Sequence, residues 1–98
     1  MSLRSNSYGR NYVTLAAPTT TQVKNGPGVF KRIVFNTPVS TGVVTIYDNQ
    51  AGDTTNPVAI ITSTADLKPF FLDYDFKFTN GLKVVTSVAA QNITVIYD

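Results

Sequence analysis

The chain has 98 residues, no cysteine, no histidine and no glutamate, and its eight Lys and Arg against six Asp leave a formal net charge of +2. So short a chain is one domain with a thin core, burying only about 60 to 65% of the surface its unfolded form exposes, and with neither disulfides nor imidazole-held metal to reinforce it, association is the remaining support. The cations are scattered rather than gathered in a stripe, helix formers are scarce and no run approaches the roughly 18 apolar residues of a membrane span, which argues against nucleic acid, a long helix and a membrane as partners or features.

Residues 1–10 are polar and rich in Ser, Asn, Arg and Gly, a composition that buries too little apolar surface to offset the entropy of ordering it. A flexible N-terminal arm over residues 1–11 is therefore expected ahead of a domain at 12–98. Tyr8 and Tyr12 give the arm two sticky points, which fits either a frayed terminus or an arm that orders on a neighbouring subunit.

Tyr12-Val13-Thr14-Leu15 reads as a first strand ended by Pro18, and Thr20-Thr21-Gln22-Val23 resumes it before the turn cluster Asn25-Gly26-Pro27-Gly28. In the next strand, 29–35, alternation places Val29, Ile33 and Phe35 on one face and Phe30 and Val34 on the other, which predicts a central strand. The same alternation sends Lys31 and Arg32 to opposite faces, each snorkelling at a rim.

Pro38 and Ser40-Thr41-Gly42 turn the chain into Val43-Val44-Thr45-Ile46-Tyr47-Asp48, a strand motif that returns at the end as Ile93-Thr94-Val95-Ile96-Tyr97-Asp98. Both copies crowd β-branched and aromatic residues into six positions, which suits a pleated, half-buried surface and a helix poorly. Between them, residues 48–57 form a polar loop whose alternate acidic and amide side chains suggest calcium. The glycine and distal glutamate of a calcium loop are not at the required places, so an ordinary exposed loop fits better.

Val58-Ala59-Ile60-Ile61 is a short apolar strand, and residues 63–68 are a connection closed by Pro69. From there Leu72, Tyr74, Phe76 and Phe78 share one face while Asp73, Asp75 and Lys77 take the other, the pattern of a strand buried on one side. Asn80-Gly81 predicts a tight hairpin turn with positive φ, leading to Leu82-Lys83-Val84-Val85-Thr86. Seven or eight short strands with turn signals about every ten residues point to an all-β chain, a single small antiparallel β-sandwich or jelly-roll-like domain.

No catalytic constellation assembles from these residues. Asp73 and Asp75 lie two apart on one strand face, about 6 to 7 Å from each other, but the face alternates Asp, Asp and Lys as solvated sheet surfaces do, without the apolar pocket a glycosidase acid needs. Without His or Cys, no Ser or Thr carries a mark of activation. Asn25-Gly26-Pro27-Gly28 precedes a strand rather than a helix, so it lacks the dipole end that cradles phosphate. Asn92-Ile93-Thr94 matches a glycosylation sequon, a pattern with a high chance rate. No enzymatic activity and no cofactor are therefore expected from these residues. Glycan binding would require exposed aromatic platforms, for which Tyr8, Tyr12, Tyr47 and Tyr97 are the candidates.

Residues 28–38 (GVFKRIVFNTP) with 42–52 (GVVTIYDNQAG), and residues 70–86 (FFLDYDFKFTNGLKVVT) with 92–97 (NITVIY), resemble small virion proteins of tailed bacteriophages. The resemblance covers residues 28–98 and rests mostly on strand and turn positions. The same module is similar to capsid decoration proteins, head fibres and tail components. A free-standing chain of this size most resembles a capsid decoration, or cement, protein. That resemblance implies a structural protein made in the host cytoplasm and placed on the virion's capsid surface, bound to the major capsid protein and often trimeric. The expected contacts with the shell or a neighbouring subunit are Arg4, Tyr8, Arg10 and Tyr12 from the arm and its root, Asn49, Gln50 and Asp53 from the polar loop, and Asp66 and Lys68 from the loop at 63–69. The alternative is a head-fibre or tail module of the same fold, and a carbohydrate-binding module comes after it.

Overall fold

A computed structural model describes residues 11–16, 18–63, 68–87 and 91–98 of the chain. Eight strands follow one another: β1 (Asn11–Ala16), β2 (Thr19–Asn25), β3 (Gly28–Thr37), β4 (Val43–Asp48), β5 (Pro57–Thr62), β6 (Phe70–Phe78), β7 (Gly81–Thr86) and β8 (Asn92–Tyr97). They form two four-stranded antiparallel sheets, β1-β8-β3-β6 (sheet A) and β2-β7-β4-β5 (sheet B). The pairs β1 with β8, β2 with β7, β3 with β6 and β4 with β5 make one long hairpin with its tip between β4 and β5. Winding that hairpin on itself adds the contacts of β3 with β8 and β4 with β7. This is the jelly-roll form of the β-sandwich, with every connection except β4 to β5 passing from one sheet to the other.

The core lies between the sheets. Sheet A contributes Leu15, Phe30, Ile33, Phe35, Phe78, Ile93 and Val95, and sheet B contributes Val44, Ile46, Ile61, Leu82 and Val84. Phe30 stacks on Tyr74 at 5.1 Å between centroids and meets Phe76 edge-on at 6.4 Å, and Phe35 stacks on Phe70 at 4.4 Å. The inward set on β6 is the alternating one expected, with Asp73, Asp75 and Lys77 exposed on the far side.

Strict alternation fails in β3. Its register shifts between Phe30 and Arg32 against both neighbours: against β8, Lys31 is the extra residue of a β-bulge, whereas against β6 the extra residue is on β6, at Tyr74-Asp75. Phe30 therefore joins Ile33 and Phe35 in the core, where all three are fully buried, instead of facing the opposite side with Val34. Without the bulge either Phe30 or the Ile33–Phe35 pair would face water, at about 2 to 3 kcal/mol per large side chain. The bulge also overturns the opposed placement of Lys31 and Arg32: both reach the outer face of sheet A, to ion-pair with Asp75 and Asp73 there.

A second departure is at Asn80-Gly81. β6 and β7 belong to different sheets, so this segment is a corner rather than a hairpin. Among the described residues the positive φ values belong to Gly26, Thr41, Gly52 and Asp75, and Gly81 is required for space instead. A Cβ on Gly81 would lie 2.6 Å from the carbonyl oxygen of Asn49 and 2.9 Å from that of Lys24.

The repeated motif occupies an inner strand of each sheet, β4 and β8. Aligned residue for residue, the two copies bury opposite faces: Val44 and Ile46 in one, Ile93 and Val95 in the other. A one-residue difference in how the strand meets the core exchanges its faces, and the motif tolerates this because apolar residues occur at both parities.

Candidate binding surface

The two outer faces of the sandwich differ in chemistry. On sheet A, cross-strand register aligns Tyr12, Ile96, Arg32 and Asp73 in one row and Thr14, Thr94, Val34 and Phe71 in the next. The bulge at Lys31 faces Asp75, whose φ of 48° is left-handed, and these paired irregularities open a shallow cleft of about 360 Å³ lined by Lys31, Arg32, Asp73, Asp75 and Ile96. Arg32 grips Asp73 at both oxygens, from Nε to Oδ1 at 2.6 Å and from Nη2 to Oδ2 at 3.3 Å. Lys31 Nζ lies 3.5 Å from Asp75 Oδ1. The hydrogen bond to Asp73 raises the Arg32 pKa above its ordinary value, so the guanidinium stays charged, and it also stacks over the Phe71 ring at 4.4 Å from the centroid. The cleft is charge-balanced and offers planar hydrogen-bonding groups beside exposed rings. Among the described residues no three His, Cys, Asp or Glu side chains converge as a metal site.

Sheet B presents the opposite character. Val43, Thr45 and Tyr47 on β4, Val85 on β7 and Ile60 and Thr62 on β5 share its outer face through their register, and all are uncharged. Lys83 also belongs to that face but is buried, its ammonium donating to the carbonyl of Asp53. That bond helps hold the 49–56 loop against the sheet.

Among the described residues, the four large apolar side chains most exposed to solvent are Tyr12 at 74%, Ile60 at 66%, Phe71 at 54% and Val58 at 39%. Each lies on an edge strand: β1 and β6 flank sheet A, and β5 flanks sheet B. Natural sheets blunt their edges with charge, proline or bulges, so apolar side chains at three of four edges mark these rims as surfaces for association.

The expected contact residues do not form one surface. Gln50 and Asp53 are exposed on the 49–56 loop, at the end of the sandwich where Asp48 holds the 79–81 corner. Lys68 is exposed just ahead of β6, whose first residue pairs with Phe35 at the opposite end. Asn49 is only 3% exposed; it accepts from the Asn56 N–H at 2.9 Å and donates to Thr55 Oγ1 at 3.2 Å, so its side chain closes its own loop. Tyr12 stands on the rim of sheet A, with Asn11 beside it already paired to Tyr97. Arg4, Tyr8, Arg10 and Asp66 lie outside the described residues. Tyr47 and Tyr97 are half-buried, leaving Tyr12 as the exposed ring among the described tyrosines considered as platforms.

Val58, Ile60 and Phe71 carry exposure that the sequence reading did not assign. The hint for β5 was its complete lack of charge, but a run of four apolar residues does not say which of them face inward.

The fold and surface define a small jelly roll with an ion-paired face, a neutral face and apolar rims. No family model, curated protein or solved structure matches the chain.

Proposed function

We propose that this chain is a structural protein of a tailed-phage virion, a decoration or cement protein that binds the outside of the shell and bridges its capsomers. The observation that carries the reading is the placement of every large exposed apolar side chain of the described residues on an edge strand. A sandwich built this way gains by lateral burial against neighbours, and the two-sheet jelly roll is a form used in capsids. The strand and turn resemblance to virion proteins points the same way. Binding to the major capsid protein stabilises the shell by mass action, because contacts between capsomers that the bound protein spans must break before the shell opens.

The test is to add purified protein to phage shells that lack it, count bound copies and record the temperature at which the shells open. Hundreds of copies per particle with a raised opening temperature support the cement role. Absence of lattice binding overturns it, and binding of a few to tens of copies at a vertex or tail assigns the chain to the head-fibre or tail alternative.

A further inference from the structure

We infer that β5 is a self-pairing edge: two copies of the chain join β5 to β5 in antiparallel fashion, making one continuous eight-stranded sheet from the two copies of sheet B. The strand ends its sheet, so one side of its backbone has no strand partner among the described residues. Its sequence, Pro57-Val58-Ala59-Ile60-Ile61-Thr62, contains no charged residue, and its outward side chains Val58 and Ile60 are 39% and 66% exposed. Pro57 at the first position and the register shift that leaves Val58 as an extra residue against β4 blunt only the start of the strand, and residues 59–62 pair regularly.

Charge selects this edge from the other three and a second copy as its occupant. An isologous pair sets each residue against its own kind or a near neighbour, so like charges on the strand would oppose one another across the axis. β6 carries Asp73, Asp75 and Lys77, and β2 carries Lys24. β1 is uncharged but exposes a tyrosine whose hydroxyl is compatible with water, flanked by polar or small outward residues. β5 alone combines zero charge with exposed aliphatic side chains, and the outer-face residues next to it, Val43, Thr45 and Tyr47, are neutral too.

Register follows from parity and from Pro57. Facing residues must share a sheet face, and the pairing centred on Ile60 leaves Pro57, which has no N–H, outside the paired strand. Ile60 then faces Ile60 of the second copy and Val58 faces its Thr62 on the outer side, while Ala59 faces Ile61 on the inner side and continues the core across the axis. Five residues a side is a small interface, so the dissociation constant is expected on the order of 10 µM.

Sedimentation of the purified full chain from about 1 to about 500 µM tests the pairing. The expected result is a reversible monomer–dimer equilibrium, weakened at least about tenfold by Ile60→Lys, which places two ammonium groups face to face, and unchanged by Phe71→Lys on the other sheet. Hydrogen exchange on the unaltered protein supplies a readout independent of variants: β5 amides should gain protection with concentration while β1 amides do not. A monomer throughout the range, a trimer such as the family resemblance implies, or a dimer insensitive to Ile60→Lys overturns the inference. Shell binding is scored separately by copy number, so either proposal can fail without the other.

Discussion

Asp48 gives the sharpest test of how this fold is held. It ends β4 and caps the corner between β6 and β7: its Oδ1 accepts from the N–H groups of Asn80 at 2.8 Å, Thr79 at 3.1 Å and Gly81 at 3.3 Å, while Oδ2 accepts from Thr79 N–H at 3.1 Å and its hydroxyl at 3.4 Å. Partial burial pushes its pKa up, but the N–H groups of Asn80, Thr79 and Gly81 outweigh that and leave the carboxylate below its ordinary value. Replacing it by Asn keeps the shape, removes the charge and turns one acceptor into a donor aimed at other donors. Charge-assisted hydrogen bonds are worth about 1.5 to 3 kcal/mol each when dry; with water reaching this corner and Asn keeping one acceptor, the net loss for Asp48→Asn is about 2 kcal/mol at pH 7. For a domain of this size that lowers the melting midpoint by about 10 °C. Because the folded pKa is depressed, this stabilisation is fully present above the unfolded value near 4 and is lost as pH falls through the lower folded value. Urea titrations of both proteins should therefore differ by about 2 kcal/mol at pH 7 and by less at an acid pH low enough to protonate the native Asp48. The repeated aspartate provides the control. Asp98 enters the structure through its backbone, its N–H donating to Val29 at 2.8 Å and its carbonyl accepting at 3.1 Å, so Asp98→Asn should stay within about 0.5 kcal/mol of the native protein. A loss for Asp48→Asn that is the same at both pH values, or below about 0.5 kcal/mol at pH 7, would refute the capping argument.

Gly81→Ala should cost about 2 kcal/mol or more by thermal melting, since the new methyl would meet the Asn49 and Lys24 carbonyls, which are backbone and cannot swing away. Gly26→Ala, at φ +84° with nothing within 4 Å, should cost only about 1 kcal/mol; equal losses would contradict a steric role for Gly81. Phe30→Ala, which empties a fully buried site between Tyr74 and Phe76, should lose about 4 kcal/mol in urea titration, and a loss below about 2 would mean that the bulge does not deliver Phe30 to the core.

The all-β class, the inner position of β3, the two repeat strands and the one-sided burial of β6 were all legible in the chain because each rests on local chemistry: β-branched and aromatic enrichment, period-two alternation, and glycine or proline at the turns. The same local rules could place Leu72, Tyr74, Phe76 and Phe78 on one face, since an edge strand that packs on one side keeps its alternation. They could not place Phe30. The bulge at Lys31 exists because Phe30, Ile33 and Phe35 are all wanted by a core whose other wall comes from β4, β5 and β7, and those strands are remote in sequence. Opposite parity in the two repeat copies has the same origin, as does the corner at Asn80-Gly81, where the sheet change is set by the winding of the whole hairpin.

The surface divides in the same way. Composition showed that no charge falls on residues 57–62, but exposure of Val58 and Ile60 depends on β5 being the last strand of its sheet. Asn49 looked like a loop-tip contact by its type and turned inward because the loop closes on it. Strand chemistry is a property of a few adjacent residues and can be read from them; which face is covered, which strand is last and where two distant loops meet depend on long-range pairing, and only the folded chain decides them.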